Sequence, residues 1–279
     1  MQFIFATDLH GNERAFRQLF DFAKELNVDA VVIGGDILPR PTTINSFTLQ
    51  QREFINRVLR PILEDFKVRN RAEIYLMLGN DDTSGCASDL QLLEQEGLSK
   101  YLHLKSHNFG DFFIYGYSFV PLTHFGIKDW EKFDNHNQVP PIPISPPFFT
   151  DEEGVKLVDI NKDIRPRGTI EEDFKKILSK TDPSRTIYVT HTPPYNTALD
   201  IIYNGNHVGS KAIRKFIETA QPPLTLHGHI HESPSQSGKI LDKLGNTISI
   251  NPGDSKETLN AIFLDTRDIG GRMKKLSRY

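Results

Sequence analysis

Five short segments of the chain share one pattern of apolar and polar positions. Each begins with an apolar run rich in Val, Ile, Phe, Tyr or Leu and ends abruptly at Asp, Asn or His. Apolar runs of this length are typical of strands that are buried on both faces. The five segments are 3–10, 30–36, 74–81, 186–191 and 224–231.

Helical patterns separate the first three segments. Apolar residues recur at helical spacing over 12–26, where Asn12 is the predicted N-cap. They recur again over 46–68, where Pro61 is predicted to kink or end the helix. This repetition favours parallel strands with right-handed crossovers, and in such sheets ligands bind outside the carboxyl ends of the strands. The polar side chains of all five segments are predicted to lie at those ends.

The remaining segments are more mixed. Residues 111–120 are predicted to form a strand broken by Gly116, residues 238–253 a hairpin with its turn at "LGN", and residues 259–265 a last strand. These short neighbours predict a second, partly antiparallel sheet. The proline-rich stretch 139–154 is predicted to be a long surface loop, and its sequence does not say whether it is a lid.

Composition and charge narrow the class of protein. The chain has 279 residues, of which 38% are hydrophobic and 25% charged, as in ordinary globular proteins. A net charge of -3 provides no bulk attraction to nucleic acid or to anionic membranes. Cys86 is the single cysteine, so an intrachain disulfide is excluded. No segment is apolar enough for a signal peptide or a membrane span, so we expect one cytoplasmic domain over residues 1–279, without a membrane partner.

The polar side chains at the strand ends carry oxygen and nitrogen donors. Asp8 and His10 occupy alternate positions and are predicted to face one way in an extended segment. His229 and His231 repeat that spacing. The other three segments end at Asp36, Asn80 and His191. Donors of this kind suit a pair of divalent transition ions better than a structural zinc ion, which favours thiolates.

Two such ions would account for the chemistry of the whole set. A pair of ions about 3.5–4 Å apart shares a carboxylate and a water, which ionises near neutral pH and attacks a phosphoryl group. Each short motif has an ordinary structural explanation when it is taken alone, such as a turn for "GND". Histidines clustered after buried strands are costly unless they bind a ligand, so the five motifs together favour a metal centre.

The motifs D-x-H-G, G-D, G-N-x-D, H and G-H-x-H, between residues 8 and 231, resemble the calcineurin-like metallophosphoesterase superfamily. The resemblance implies an α/β fold, a four-layer sandwich of two mixed β-sheets flanked by helices. It implies a first metal held by Asp8, His10, Asp36 and His231, and a second held by Asp36, Asn80, His191 and His229. Asp36 would bridge the two divalent ions. The nitrogen-rich ligand set favours Mn, Fe, Zn or Ni over Mg. His227 is not predicted to be a ligand.

One position departs from the superfamily pattern. The third motif usually contains a histidine that stabilises or protonates the leaving group, whereas this chain has Asp81 there, followed by Asp82. An ionised carboxylate would repel a phosphate. A carboxyl group desolvated beside a second one has a raised pKa and could act as a general acid. Asp81 and Asp82 are therefore the candidate catalytic residues.

Substrate contacts are predicted from two loops. Residues 204–217 contain a glycine-rich turn that is best explained as a capped helix start, although the N-terminus of that helix could also bind phosphate through His207 and the backbone amides of residues 209–211. Asn12 could also face the site, although its role as an N-cap explains it equally well. Tyr195 and Asn196 follow His191 and could line the pocket.

Together these features predict a dinuclear metal-dependent phosphoesterase. A metal-bridging hydroxide would hydrolyse a small phosphorylated substrate, either a phosphodiester or a phosphomonoester. The alternatives are a pyrophosphate-bond hydrolase of the same superfamily and a catalytically silent scaffold of the same fold. A nuclease is disfavoured because the chain is mildly acidic and has no basic stripe. The sequence does not identify the substrate, the native metals or the oligomeric state.

Overall fold

The computed structural model describes residues 1–40, 46–151, 154–254 and 258–277. The helices in these ranges are α1 (Glu13–Glu25), α2 (Phe47–Phe54), α3 (Arg60–Arg69), α4 (Ala87–Gln95), α5 (Ile170–Leu178), α6 (Lys211–Ala220) and α7 (Ser233–Ser237). The first eight strands are β1 (Gln2–Ala6), β2 (Ala30–Ile33), β3 (Glu73–Leu76), β4 (Lys100–Tyr101), β5 (Ser106–Phe109), β6 (Phe112–Tyr117), β7 (Val120–Pro121) and β8 (Glu131–Lys132). The others are β9 (Phe148–Thr150), β10 (Val155–Leu157), β11 (Thr186–Thr190), β12 (Leu224–Leu226), β13 (Leu241–Leu244), β14 (Thr247–Ile250), β15 (Ala261–Asp265) and β16 (Met273–Leu276).

Two six-stranded mixed sheets form the centre of the fold. The first has the strand order β16-β15-β1-β2-β3-β4, in which β1 to β4 are parallel and β15 and β16 add antiparallel neighbours. The second has the order β13-β14-β12-β11-β6-β5, in which the four inner strands are parallel and each edge is antiparallel. The five apolar segments therefore divide between the two sheets, three in the first and two in the second.

The alternation of side chains along β1 shows how the layers stack. Phe3 and Phe5 point into the core between the two sheets, where they meet residues such as Ile187 and Leu224. Ile4 and Ala6 face the opposite side and pack against the first layer of helices. A third cluster covers the outer face of the second sheet with residues of α5 and α6. The α/β sandwich that the resemblance implies is confirmed: helix, sheet, sheet, helix.

The break that Pro61 was predicted to introduce takes the form of a π-helical turn. Residues Ile55–Leu59 form this turn between α2 and α3, and Pro61 lies in the first turn of α3. Proline has no backbone N–H and crowds the carbonyl of the preceding turn, so a local widening accommodates it within the helical path. The helical face nevertheless stays buried through Ile55, Leu59 and Leu63.

Several predictions for the mixed segments need revision. β6 runs through Gly116 without a break, because Gly116 pairs with Val189 of β11 on one side and its carbonyl accepts from the N–H of Leu104 at 2.8 Å on the other. The predicted hairpin is present as β13 and β14, which are joined at Gly245 with φ +63°. The strand predicted over 259–265 is β15, which joins the first sheet beside β1 and not the second sheet as predicted. It is followed by β16, which the sequence did not reveal.

The proline-rich stretch 139–154 is largely a surface segment. Ile142 and Ile144 are exposed, but residues Phe148–Thr150 form β9 and pair with β10. Residues 152 and 153 of the stretch lie outside the described residues. Among the helices that the structure describes, none combines the length and apolar character that a membrane crossing requires.

Candidate metal centre

The loops that follow five strands meet between the two sheets. In the first sheet, the backbone N–H of Asp8 donates to Gly35 at 3.0 Å and the N–H of His10 donates to Asp36 at 2.9 Å, which ties the β1 and β2 loops together. The N–H of His229, from the second sheet, donates to the carboxylate of Asp8 at 3.1 Å. Polar side chains far apart in sequence are thereby brought to one point at the carboxyl ends of the strands.

Left-handed backbone conformations direct four of these side chains toward the centre. Asp8, His10, Asp36 and His229 have φ values of +54°, +44°, +49° and +66°, in the left-handed region. This conformation costs a residue with a Cβ about 1–2 kcal/mol and persists where surrounding contacts impose it. The extended geometry predicted for the alternating pairs is therefore wrong: β1 ends at Ala6 and β12 at Leu226, before the donors begin.

Four predicted ligands of the first ion converge. One donor atom from each of Asp8, His10, Asp36 and His231 lies within 4.8 Å of the other three. The Nε2 atoms of His10 and His231 are 3.1 Å apart, and His231 Nε2 is 3.2 Å from Asp8 Oδ1. Lone pairs that face each other at these distances repel unless a proton or a cation lies between them. The residues therefore fit a divalent ion.

Three of the four predicted ligands of the second ion lie close together: Asp36, Asn80 and His191. His191 Nε2 lies 3.1 Å from Asn80 Oδ1 and 3.4 Å from Asp36 Oδ2. His191 Nδ1 donates to the carbonyl of Gly34 at 3.0 Å, which fixes the tautomer and leaves the Nε2 lone pair facing the centre. The ring of His229 lies 5.4 Å from the ring of His191. Asp36 Oδ2 is also 3.9 Å from His10 Nε2, so Asp36 lies between the two groups.

The charges at the centre are those of a cation site. Burial raises the pKa of Asp8 and Asp36, but neighbouring imidazoles outweigh burial and hold both pKa values below the usual range. Burial lowers the pKa of His191, yet Asp36 and Asp8 outweigh it and raise that pKa to about 9. Burial lowers the pKa of His229 to about 3. Two buried carboxylates surrounded by imidazoles are a set that a bound cation would neutralise.

Two glycines let the loops approach this closely. A Cβ on Gly79 would collide with the backbone N and Oδ1 of Asp36 and lie 2.6 Å from His191 Nε2. A Cβ on Gly228 would collide with Thr7 Oγ1 and Asp8 Oδ2 across the junction of the two sheets. The close packing of the loops therefore requires glycine at both positions, because a side chain there would collide with the neighbouring loop.

Asp81 makes an ion pair that the sequence did not reveal. Its Oδ2 accepts a hydrogen bond from Arg40 Nε at 2.6 Å, and its Oδ1 accepts one from Asn80 Nδ2 at 3.1 Å. Burial and Asp36 raise the pKa of Asp81, whereas Arg40 opposes that rise. Arg40 lies four positions after Asp36, in a stretch without any pattern that marks it as functional.

Asp82 points away from the cleft. It is fully buried, and its two oxygens accept hydrogen bonds from the backbone N–H groups of Leu38 at 2.8 Å, Gly79 at 2.9 Å and Ile37 at 3.0 Å. Burial, together with Asp36, raises its pKa well above the usual range. This position joins the loops after β2 and β3, and it does not favour the catalytic role predicted for Asp82.

A cleft of about 1160 Å³ opens above the centre. Asp36, Asn80, Asp81, His229 and His231 contribute to its floor. Its walls include apolar side chains such as Phe47, Leu122, Phe125, Val139 and Val208. The cleft is much larger than a phosphate group and has room for an organic substituent on the ester.

Some of the predicted substrate-contacting residues line the cleft and others do not. His207 lines the cleft, and its Nδ1 is 2.7 Å from Asp200 Oδ1. Asn12 caps α1, with its side-chain oxygen accepting from Ala15 N at 3.1 Å. Tyr195 lines the cleft, whereas Asn196 donates its N–H to Asp200.

The amides of residues 209–211 are not available to a phosphate. The N–H of Gly209 donates to Asp200 at 2.9 Å, that of Ser210 to Pro193 at 2.9 Å and that of Lys211 to Asp134 at 2.8 Å. Ser210 caps α6 and the buried carboxylate of Asp134 accepts from its first turn, so the structure favours the capped helix start over a phosphate contact there.

The sequence is similar to one protein family over most of its length. A family model described as calcineurin-like phosphoesterase matches residues 1–233. The uncharacterized protein MJ1162 of Methanocaldococcus jannaschii is 43% identical over 89 residues, which are 30% of this chain and 38% of that protein. The chain thus matches less than half the length of that relative.

Two solved structures support the fold. TT1561 of Thermus thermophilus has 16% sequence identity and a TM-score of 0.59, over 99% of this chain and 97% of that one. A dimetal phosphatase from Danio rerio has 13% identity and a TM-score of 0.55, over 100% of this chain and 96% of that one. At these identities the likeness extends to the fold alone.

Proposed function

Because the chain belongs to the calcineurin-like phosphoesterase family, we propose that it is a dinuclear metal-dependent hydrolase of phosphate esters. The observation that carries the proposal is the convergence of donors from Asp8, His10, Asp36 and His231 within 4.8 Å beneath a large cleft. These residues would hold the first divalent ion. The second would be held by Asp36, Asn80, His191 and His229.

When bound, two divalent ions supply Lewis acidity at the phosphoryl group and a water that ionises near neutral pH. The side chains of this protein would hold and orient the two ions. Asp36 faces both groups of donors and would be shared between them. The Gly34 carbonyl keeps the Nε2 lone pair of His191 turned toward the centre. Asp82 holds the β2 and β3 loops at the spacing that the centre needs.

His207 is proposed to contact the substrate. The buried carboxylate of Asp200 accepts from Nδ1 of His207, which leaves the other ring nitrogen to meet a polar group in the cleft. Asp200 also accepts backbone hydrogen bonds from Asn196 and Gly209, so it is held in place by the surrounding loop. A fixed imidazole of this kind orients a bound ester rather than the metals.

We propose a phosphodiester as the first substrate class, with a phosphomonoester as the second. The floor of the cleft takes the phosphoryl group, and its apolar walls take an organic substituent on the ester. The nitrogen-rich donors favour Mn, Fe, Zn or Ni over Mg.

Hydrolysis of a chromogenic phosphodiester and the matching monoester tests the proposal. Metal-stripped protein should be inactive and should regain turnover with Mn²⁺, and Asp36→Asn should stay at least about a thousandfold less active, because it removes the shared carboxylate. The ratio of diester to monoester turnover identifies the substrate class. Absence of turnover with every added divalent ion and both esters would contradict the proposal and favour a scaffold of the same fold.

A further inference from the structure

An arginine stands at the mouth of the candidate metal centre. Arg40 Nε donates to Asp81 Oδ2 at 2.6 Å, and Arg40 Nη2 lies 3.4 Å from His10 Nε2. The Arg40 side chain is 51% exposed, whereas Asp81 is 18% exposed. The guanidinium is therefore anchored on its inner side and open to the cleft on its outer side.

Asp81 adds a carboxylate to the candidate metal centre at the position where the superfamily has a histidine. Three carboxylates lie close to its imidazoles: Asp36 and Asp81 each have an oxygen 3.9 Å from a ring nitrogen of His10, and Asp8 has one 3.2 Å from His231 Nε2. The superfamily histidine that would offset this charge is replaced by Asp81 itself. An unpaired carboxylate at this position would repel a phosphate ester.

The cleft offers two candidates for the missing positive charge. Among its described lining residues, the lysines and arginines are Arg40 and Lys211. Lys211 lies on another wall, with its Nζ 4.9 Å from the ring centre of Tyr195. Arg40 is beside the donors: its guanidinium reaches both Asp81 and His10.

We propose that Arg40, oriented by Asp81, binds a non-bridging oxygen of the phosphoryl group and replaces the charge of the missing histidine. This inference rests on the proposed function and names a further residue for it. The hydrogen bond from Arg40 Nε to Asp81 leaves the two Nη groups of the guanidinium to donate to phosphate oxygens. The planar guanidinium places its N–H groups at a spacing that matches those oxygens. Asp81 acts as a positioning residue, because it holds the arginine and does not itself touch the ester.

Binding of inorganic phosphate to the Mn²⁺-loaded protein tests the inference without requiring turnover. Isothermal titration should show that Arg40→Gln weakens phosphate binding about tenfold to a hundredfold, the loss of a charged hydrogen bond, while the number of bound ions stays unchanged. Arg40→Lys should recover part of the affinity, because it keeps the charge but loses the fork. Arg17→Gln, an exposed arginine paired with Glu13 outside the cleft, is the charge-matched control and should bind as the wild type does.

The role of Asp81 is tested by a double-mutant cycle. Asp81→Asn should weaken phosphate binding less than Arg40→Gln does, and the double variant should bind no more weakly than Arg40→Gln alone, because Asp81 acts through the arginine. Unchanged phosphate affinity in Arg40→Gln, or additive losses in the double variant, would overturn the inference. A wild type that binds phosphate through Arg40 but hydrolyses no ester would instead refute the proposed function alone.

Discussion

The histidines of "HGHIH" divide into one imidazole inside the fold and two that face the centre. His227 is fully buried, where its Nδ1 lies 2.9 Å from Thr190 Oγ1 and its Nε2 lies 2.8 Å from Thr225 Oγ1. His231 reaches Asp8, and His229 turns toward His191 through its left-handed backbone. Hydrogen bonds to threonines satisfy His227, so it has no lone pair to offer an ion.

We expect His227→Gln to keep two bound ions per chain and to change the pH dependence of stability. Burial lowers the pKa of His227 to about 4. In the unfolded chain the pKa of this imidazole is near 6.5. Below about pH 6.5 the unfolded chain therefore binds a proton that the folded chain does not. This difference lowers the free energy of unfolding by about 2 kcal/mol at about pH 5. Urea unfolding of metal-free protein at about pH 7 and about pH 5 should show a smaller drop for the variant. Loss of an ion in His227→Gln, or an equal drop, would contradict this assignment; His229→Gln is the control that should lose an ion.

Residue types at the centre could be predicted from the sequence, but their conformations could not. Apolar runs that end in Asp, Asn and His identified the donors. The left-handed conformations of Asp8, His10 and His229 arise from contacts between loops far apart along the chain, such as the bond from His229 N to Asp8. Arg40 was missed for the same reason, because only the folded chain places it beside Asp81.

At the scale of elements, local signals predicted helix starts better than strand ends, because β1 and β12 stop before their polar residues begin. Helix α1 begins after Asn12 as the N-cap pattern indicates, and the helix through Pro61 is interrupted by the π-helical turn Ile55–Leu59. Pairing is less local. The single glycine in β6 did not end the strand, because Val189 and Leu104 pair with it on its two sides. Strand β16 was missed because it is formed by pairing with β15, which its own sequence does not reveal.

Asn12→Ala separates the two roles considered for this residue. The asparagine oxygen satisfies the N–H of Ala15 at the start of α1, so its removal should cost about 0.5–2 kcal/mol of unfolding free energy. Ester hydrolysis by the metal-loaded variant should keep its KM. Denaturant unfolding and steady-state kinetics measure the two effects. A raised KM with unchanged stability would show that Asn12 contacts the substrate instead.

For the whole molecule, the decisive feature is that loops at the carboxyl ends of strands from two separate, stacked sheets meet at one point. The first three segments predicted parallel neighbours correctly. The sequence did not show that β11 and β12 belong to a different sheet, because both sheets use the same kind of apolar strand. Burial of Phe3, Phe5 and Ile187 between the sheets fixes how the loops face each other, and the metal centre depends on that packing.

Gly228→Ala tests this dependence. The added Cβ would collide with Thr7 and Asp8 of the first sheet, so we expect it to destabilise the fold by about 1–3 kcal/mol and to weaken the first metal site. Gly97→Ala is the control: its φ is +75° and a Cβ there would meet open space. That variant should lose about 1 kcal/mol and keep its metals. Unfolding curves and metal content give both results, and equal metal loss in the two variants would contradict the close approach.

The most direct measurement is a titration of metal-stripped protein with Mn²⁺ that follows bound ions and ester hydrolysis together. If the strand-end donors form a two-metal hydrolytic centre, turnover should rise as the second ion binds and level off at two ions per chain. Asp36→Asn, which lacks the shared carboxylate, should neither fill both sites nor turn over. Hydrolysis without bound metal, or full occupancy of both sites without hydrolysis of either ester, would contradict the proposed centre and its function.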